Sequence, residues 1–114
     1  MSVPATLENE WIEVCRIETI QPERGVAALV AGVQVALFRT FDDEVYALDN
    51  RDPFSGSYVL SRGIVGSRGD IPTVASPMFK QVFDLRSGTC LDDTSVQIPH
   101  YDARVSCGRI EVRL

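Results

Sequence analysis

The pattern that most constrains this chain is a series of short apolar runs, each ended by a turn. In residues 109–114, Ile110, Val112 and Leu114 alternate with charged residues, which is the two-residue period of a strand with one buried face. No window of helical length repeats its apolar residues with a 3.6-residue period. Short, closely spaced strands joined by Gly and Pro turns predict an all-β fold, an antiparallel β-sandwich or small barrel.

The predicted strands share apolar runs bounded by turn residues. They are residues 11–17, 26–30, 33–40, 44–48, 103–107 and 109–114. Ala31-Gly32 predicts a hairpin between two of them, and residues 83–85 predict a strand that enters a tight turn at residues 86–88. We interpret residues 10–114 as a single domain and residues 1–9 as a flexible N-terminus.

Composition excludes several classes of function. The net charge of −5 disfavours nucleic acid, whose phosphates require a basic surface. No apolar run approaches the length of a membrane span, and the polar, acidic start of the chain lacks the order of a signal peptide. Three cysteines without a Cys-x-x-Cys pair predict a reducing cytoplasm. We expect Cys15, Cys90 and Cys107 to be small, buried or half-buried thiols.

Two loops in the middle of the chain resemble the cluster-binding loops of Rieske-type domains. Those domains carry Cys-x-His in the first loop and Cys-x-x-His in the second, and these four side chains bind the two irons. The corresponding positions here are Asp52, Phe54, Ser76 and Phe79. The residues around these positions therefore resemble Rieske loops, but all four ligands are missing. The resemblance predicts an inserted loop tip within a degenerate cluster-binding subregion at residues 49–88.

The resemblance is closest to one branch of that superfamily, the small subunit of the assimilatory NAD(P)H-dependent nitrite reductase. It extends from Trp11 to the C-terminus. The residues that carry it are the stretch 52–63, Ala75-Ser76-Pro77, Lys80-Gln81 and Phe83-Asp84-Leu85-x-x-Gly88. The missing ligands help to select this branch, because Rieske ferredoxins keep theirs.

The four degenerate positions favour a structural role over metal binding. A phenyl ring has no lone pair for a metal, and the oxygens of Asp52 and Ser76 are too few for a cation site. We expect Phe54 and Phe79 to pack against each other between the loops, in the space that a cluster would fill. No catalytic, cofactor-binding or metal-binding residue is predicted. His100, the only histidine, has no metal-ligand spacing and is interpreted as a structural or surface histidine.

Basic and apolar residues in and beside the two loops form the candidate partner-binding set. They are Arg51, Arg62, Met78, Phe79 and Lys80. An apolar centre with a basic rim is a common interface composition, and loops held by a rigid β scaffold often carry function. The alternative is that these Arg and Lys side chains are ordinary solvated surface charges, and the residue types by themselves do not decide between the two. The resemblance favours the interface because it implies a large partner subunit.

The resemblance also implies the function. It implies a cytoplasmic enzyme that reduces nitrite to ammonium with electrons from NAD(P)H, in nitrate and nitrite assimilation. FAD, siroheme and an iron–sulfur cluster are expected in the large subunit, and no cofactor is expected in this chain. Its expected role is to dock on the large subunit and support it. The alternative is a free-standing binding or regulatory module on a degenerate Rieske scaffold.

Overall fold

The computed structural model describes residues 10–114, which form nine strands. The strands are β1 (Ile12–Arg16), β2 (Arg24–Val30), β3 (Val33–Arg39), β4 (Val45–Asp49), β5 (Ile64–Arg68), β6 (Ile71–Ala75), β7 (Val82–Asp84), β8 (His100–Ser106) and β9 (Arg109–Arg113). Residues 1–9, for which the sequence predicts a flexible N-terminus, lie outside the described residues. The helices of residues 10–114 are two three-residue 3-10 turns, Ile17–Thr19 and Leu60–Arg62. Neither could cross a membrane.

The strands form two antiparallel sheets. The larger sheet has six strands in the order β1-β9-β8-β4-β3-β2, and the smaller has three in the order β5-β6-β7. The smaller sheet is inserted in the chain between β4 and β8. The all-β architecture with an inserted subregion is therefore confirmed.

Two apolar clusters hold the sheets together, and β3 contributes to both. Val35 and Leu37 belong to the cluster enclosed by the larger sheet, with Ile110 and Val112 of β9. The alternate residues of β3, Ala36 and Phe38, belong to the cluster beneath the smaller sheet. Because both faces of β3 are buried between Val35 and Phe38, these four residues form a continuous apolar run and do not alternate with polar residues.

The sequence predicted the strands of the larger sheet to within a few residues at each end. It missed β5 and β6, which contain Gly66 and Pro72. Gly and Pro are poor strand formers, and Pro cannot donate a ladder hydrogen bond. Pairing of β6 with strands on both sides overrides this weak local preference.

Candidate functional site

The two loops that resemble a cluster site, residues 52–57 and 76–81, have the same backbone hydrogen bonds. In each, the first N–H donates to the sixth carbonyl, Asp52 to Ser57 at 2.8 Å and Ser76 to Gln81 at 2.9 Å. The fifth N–H donates back to the first carbonyl in both loops. The first side chain also accepts from the third N–H. We call these two segments the tip loops, because they project beyond β4 and β6, which end at Asp49 and Ala75.

A side-chain hydrogen bond joins the tip loops at the two positions of the missing cysteines. The Ser76 hydroxyl donates to Oδ2 of Asp52. Both side chains are almost completely buried, with 0% exposure for Asp52 and 1% for Ser76. Oδ1 of Asp52 accepts the Phe54 N–H at 2.8 Å, so both carboxylate oxygens have a donor. Buried polar groups need such partners, and this pair crosslinks the loops.

The two phenylalanines do not pack as predicted. Phe79 is 59% exposed, and Phe54 lies against Phe83 with ring centroids 6.2 Å apart. The prediction of a Phe54–Phe79 contact is therefore wrong. The physical reason is that the Ser76–Asp52 hydrogen bond links the two loops, while Phe54 instead packs against Phe83, which is fully buried.

The side chains at the tip do not fit an iron–sulfur cluster. The four ligand positions hold a carboxylate, a hydroxyl and two phenyl rings, whereas the cluster requires thiolate and imidazole donors. The two oxygen-bearing side chains, Asp52 and Ser76, are also hydrogen-bonded to each other. Within residues 10–114, no group of three or more His, Cys, Asp and Glu side chains could hold a metal ion.

The tip exposes a concentration of large apolar side chains. Five of the eight exposed large apolar residues of the described chain lie on the tip loops or next to them. They are Phe54, Tyr58, Ile64, Met78 and Phe79, and Ile64 belongs to the tip because it pairs with Ala75 at the base of the second loop. Exposed apolar residues gathered in one region mark interaction sites more often than scattered ones do.

The cations of the tip lack carboxylate partners among residues 10–114. Seven of the eleven basic side chains of the protein form ion pairs within the described chain, and all seven are arginines. The remaining four are Arg24, Arg51, Arg62 and Lys80. Three of these were predicted as partner-binding residues from the sequence, and all three lie on the tip loops or flank them. The predicted residues are all exposed: Met78, Phe79 and Lys80 lie on the second tip loop, Arg51 precedes the first, and Arg62 ends the 3-10 turn that follows it.

Asn50 anchors the first tip loop, a role that was not predicted from the sequence. Its side-chain amide donates to the Tyr58 carbonyl at 3.1 Å, and its Oδ1 accepts the Ser61 N–H at 2.9 Å. Asn50 is 2% exposed. An asparagine directly after an apolar strand was the available signal, because Asn side chains commonly bind nearby backbone groups in turns.

A groove of about 430 Å³ is lined by the β3–β4 and β5–β6 turns, which lie at the ends of β4 and β6 opposite to the tip loops. Its walls include Phe41 and Tyr46 and the carboxylates of Glu23, Asp42 and Asp70, none of which forms an ion pair within residues 10–114. Burial, followed by the nearby carboxylates of Glu44 and Asp42, raises the pKa of the Tyr46 phenol. Three carboxylates without an ion pair among residues 10–114 therefore line this groove.

The cysteines are free thiols in different environments. Cys90 is buried and Cys15 is half-buried, as predicted, and burial raises the pKa of the Cys15 thiol. The prediction is wrong for Cys107, which is exposed. Cys107 occupies a left-handed backbone position (φ 52°) in the β8–β9 turn and belongs to neither apolar cluster.

Comparison with known proteins agrees with this architecture. Residues 10–113 match the family described as Rieske-like [2Fe-2S] domain. The nitrite reductase (NADH) small subunit of Escherichia coli (strain K12) is 43% identical over 106 residues, which cover 92% of this chain and 98% of that protein. A crystal structure from Mycobacterium tuberculosis, provisionally assigned as an NADH-dependent nitrite reductase small subunit, superposes with a TM-score of 0.86 at 51% identity. The match covers 90% of this chain and 93% of that one.

A second kind of relative is much longer than this chain. The nitrite reductase [NAD(P)H] large subunit of Klebsiella oxytoca is 38% identical over 109 residues, which cover 96% of this chain and 11% of that protein. The same domain thus occurs both as a separate polypeptide and as a segment of a large subunit. Taken with the loop geometry and the near full-length identities, these matches show that the chain belongs to the Rieske-like domain family, in its branch of nitrite reductase small subunits.

Proposed function

We propose that this chain is the non-catalytic small subunit of an NAD(P)H nitrite reductase, the oxidoreductase that takes nitrite to ammonium. Its role is to dock on the large subunit and support it. The observation that carries this proposal is the occurrence of the same domain within the Klebsiella oxytoca large subunit. A domain that is covalently joined to the large subunit in one organism and separate in others is expected to work at the large subunit's surface.

The chain contributes no redox centre in this proposal. Support comes from the ligand positions, where Asp52 and Ser76 bond to each other and the phenyl rings offer no donor. FAD, siroheme and the iron–sulfur cluster then belong to the large subunit, and electrons pass from NAD(P)H to nitrite there. A cytoplasmic location belongs to the same proposal, since NAD(P)H and free thiols are features of that compartment.

The tip is the proposed docking surface. Met78 and Phe79 provide an exposed apolar centre, and Arg51, Arg62 and Lys80 provide a positive rim. Desolvation of apolar anchors supplies most of the binding free energy at such interfaces, whereas rim charges mainly accelerate association.

The test is reconstitution with the purified large subunit from the same organism. Wild-type small subunit should form a complex and support nitrite-dependent oxidation of NAD(P)H. Met78→Ala should weaken the complex about equally at low and high salt, whereas Lys80→Glu should weaken it most at low salt. Phe41→Ala is the matched control, because Phe41 is 75% exposed but lies at the opposite end.

The outcomes separate the two functional hypotheses. Failure of the wild-type chain to bind the large subunit would favour the free-standing module, which the matched relatives do not support. Normal binding by the tip variants together with loss of binding by Phe41→Ala would keep the subunit role and move the docking surface to the groove.

A further inference from the structure

The hydrogen-bond pattern of the tip loops occurs a third time, in the turn after β7. The Asp84 N–H donates to the Thr89 carbonyl at 2.8 Å, and the Gly88 N–H returns to the Asp84 carbonyl at 2.7 Å. The Asp84 side chain accepts the Arg86 N–H, as Asp52 and Ser76 accept theirs. Three loops of one geometry allow a comparison position by position.

The fifth position of all three loops has a left-handed backbone. Its φ angle is 77° at Gly56, 77° at Gly88 and 63° at Lys80. Glycine adopts this conformation without penalty, whereas a residue with a Cβ is disfavoured. Two loops therefore have the residue that the geometry favours, and the second tip loop has a lysine.

Space alone does not explain the difference between the three loops. A Cβ on Gly88 would lie 2.1 Å from the Ile98 carbonyl oxygen, so that position excludes a side chain. A Cβ on Gly56 would meet nothing closer than Arg51 Nη2 at 3.4 Å. In a tip loop the fifth position therefore has room for a side chain, and its cost there is conformational.

The Lys80 backbone is held by its N–H bond to the Ser76 carbonyl at 3.0 Å, but its side chain forms no ion pair within the described chain. Its ammonium has no carboxylate within ion-pair distance among residues 10–114, and the residue is exposed. Four other non-glycine residues are left-handed, Glu23, Ala31, Asp43 and Cys107, so φ alone does not single it out. Lys80 differs because it is the only lysine and directly follows the exposed Met78-Phe79 pair. Strained residues concentrate at functional sites.

We propose that Lys80 is a specificity-determining residue of the docking surface, whose ammonium pairs with a carboxylate of the large subunit. This inference rests on the proposed function. Met78 and Phe79 would exclude water around the pair, which strengthens it relative to an exposed ion pair. The partner surface that fits is an apolar recess with at least one acidic side chain at its edge.

The test compares stability and binding in the same variants. Lys80→Gly removes the charge and the disfavoured conformation together, so the urea midpoint should stay the same or rise. Lys80→Ala removes the charge but keeps a Cβ in the disfavoured conformation, so it should be the less stable of the two. Both variants should bind the large subunit at least tenfold more weakly than wild type at low salt. Lys80→Arg keeps the charge and should bind within about threefold.

Cys107→Gly is the matched control, because Cys107 is exposed and left-handed (φ 52°) and lies in the β8–β9 turn, outside both the tip loops and the groove. It should leave binding unchanged. If wild type binds and Lys80→Gly binds equally well, the role of Lys80 is overturned while the subunit role stands. A lower stability for Lys80→Gly than for Lys80→Ala overturns the inference as well, because Lys80 would then carry no strain. If wild type itself does not bind, the proposed function fails and this inference fails with it.

Discussion

The hydroxyl of Ser76 donates a hydrogen bond to the carboxylate of Asp52, and this buried pair links the two tip loops. These are the positions at which cluster-bearing relatives of this fold have cysteine. A direct polar contact therefore occupies the place where two thiolates would hold iron.

Breaking this contact should destabilise the domain. Asp52→Ala leaves the Ser76 hydroxyl and the Phe54 N–H without an acceptor, at an expected cost of about 3 kcal/mol in the free energy of unfolding. Ser76→Ala should cost about 2 kcal/mol, and the double variant less than the sum because the same bond is lost. Urea denaturation measures all three.

Ser95→Ala is the control for this experiment. It removes an exposed Ser–Asp hydrogen bond, to Asp93 at 2.6 Å, and should cost less than about 0.5 kcal/mol. An Asp52→Ala cost no larger than this would show that the crosslink does not stabilise the tip.

The protein should hold no iron–sulfur cluster. After anaerobic reconstitution with iron and sulfide, we expect no visible absorption band and no retained iron or acid-labile sulfide, because the tip offers neither thiolate nor imidazole. A Rieske ferredoxin reconstituted in parallel is the positive control. One cluster per chain in the present protein would refute the proposed absence.

Two phenylalanines should respond oppositely to truncation. Phe83 is 0% exposed and packs beneath the smaller sheet, so Phe83→Ala should cost about 3–5 kcal/mol. Phe79→Ala should change the free energy of unfolding by less than about 0.5 kcal/mol, because most of the ring is in solvent, and should instead weaken binding to the large subunit. Equal losses of stability would mean that Phe79 is buried in solution.

Stability should fall at acidic pH partly through Asp84. Its hydrogen bond from the Arg86 guanidinium, at 3.0 Å, lowers the pKa of the Asp84 carboxyl below the ordinary 3.8. A carboxyl with a lowered folded-state pKa stabilises the fold above its unfolded pKa, and this contribution is lost as pH falls through the folded value. Asp84→Asn should therefore flatten the stability profile below about pH 4, by about 1 kcal/mol or less.

Arg86→Gln tests the same interaction from the other side. It should flatten the same part of the profile, and the double variant should resemble either single variant because they share one contact. Additive effects of the two substitutions would show that the pair is not the cause. Unfolding curves at pH 3, 4 and 7 give the comparison.

The three thiols should react with an aromatic disulfide reagent at three rates. Cys107 is exposed and should react first. Cys15 should react more slowly, since burial raises the pKa of its thiol and the thiolate is the reactive form. Cys90 is fully buried and should react only on unfolding. Cys107→Ser should abolish the fast phase, and a remaining fast phase would place a second thiol at the surface.

Local pattern determined much of the fold. Alternation in β9 predicted its buried Ile110 and Val112, and Ala31-Gly32 predicted the β2–β3 hairpin. The substituted ligand positions and the basic residues near the tip could also be identified from the sequence. These features depend on two-residue periodicity and turn chemistry, which neighbouring residues specify between them.

Only the tertiary structure decided how the tip is closed and what it exposes. Asp52 and Ser76 are 24 positions apart, and their contact depends on how β4 and β6 place two loops side by side. The same placement leaves Phe79 in solvent and Lys80 without a carboxylate among residues 10–114. Sequence patterns show which residue types are neighbours along the chain. Burial and charge pairing depend instead on which distant strands pair with each other in the fold.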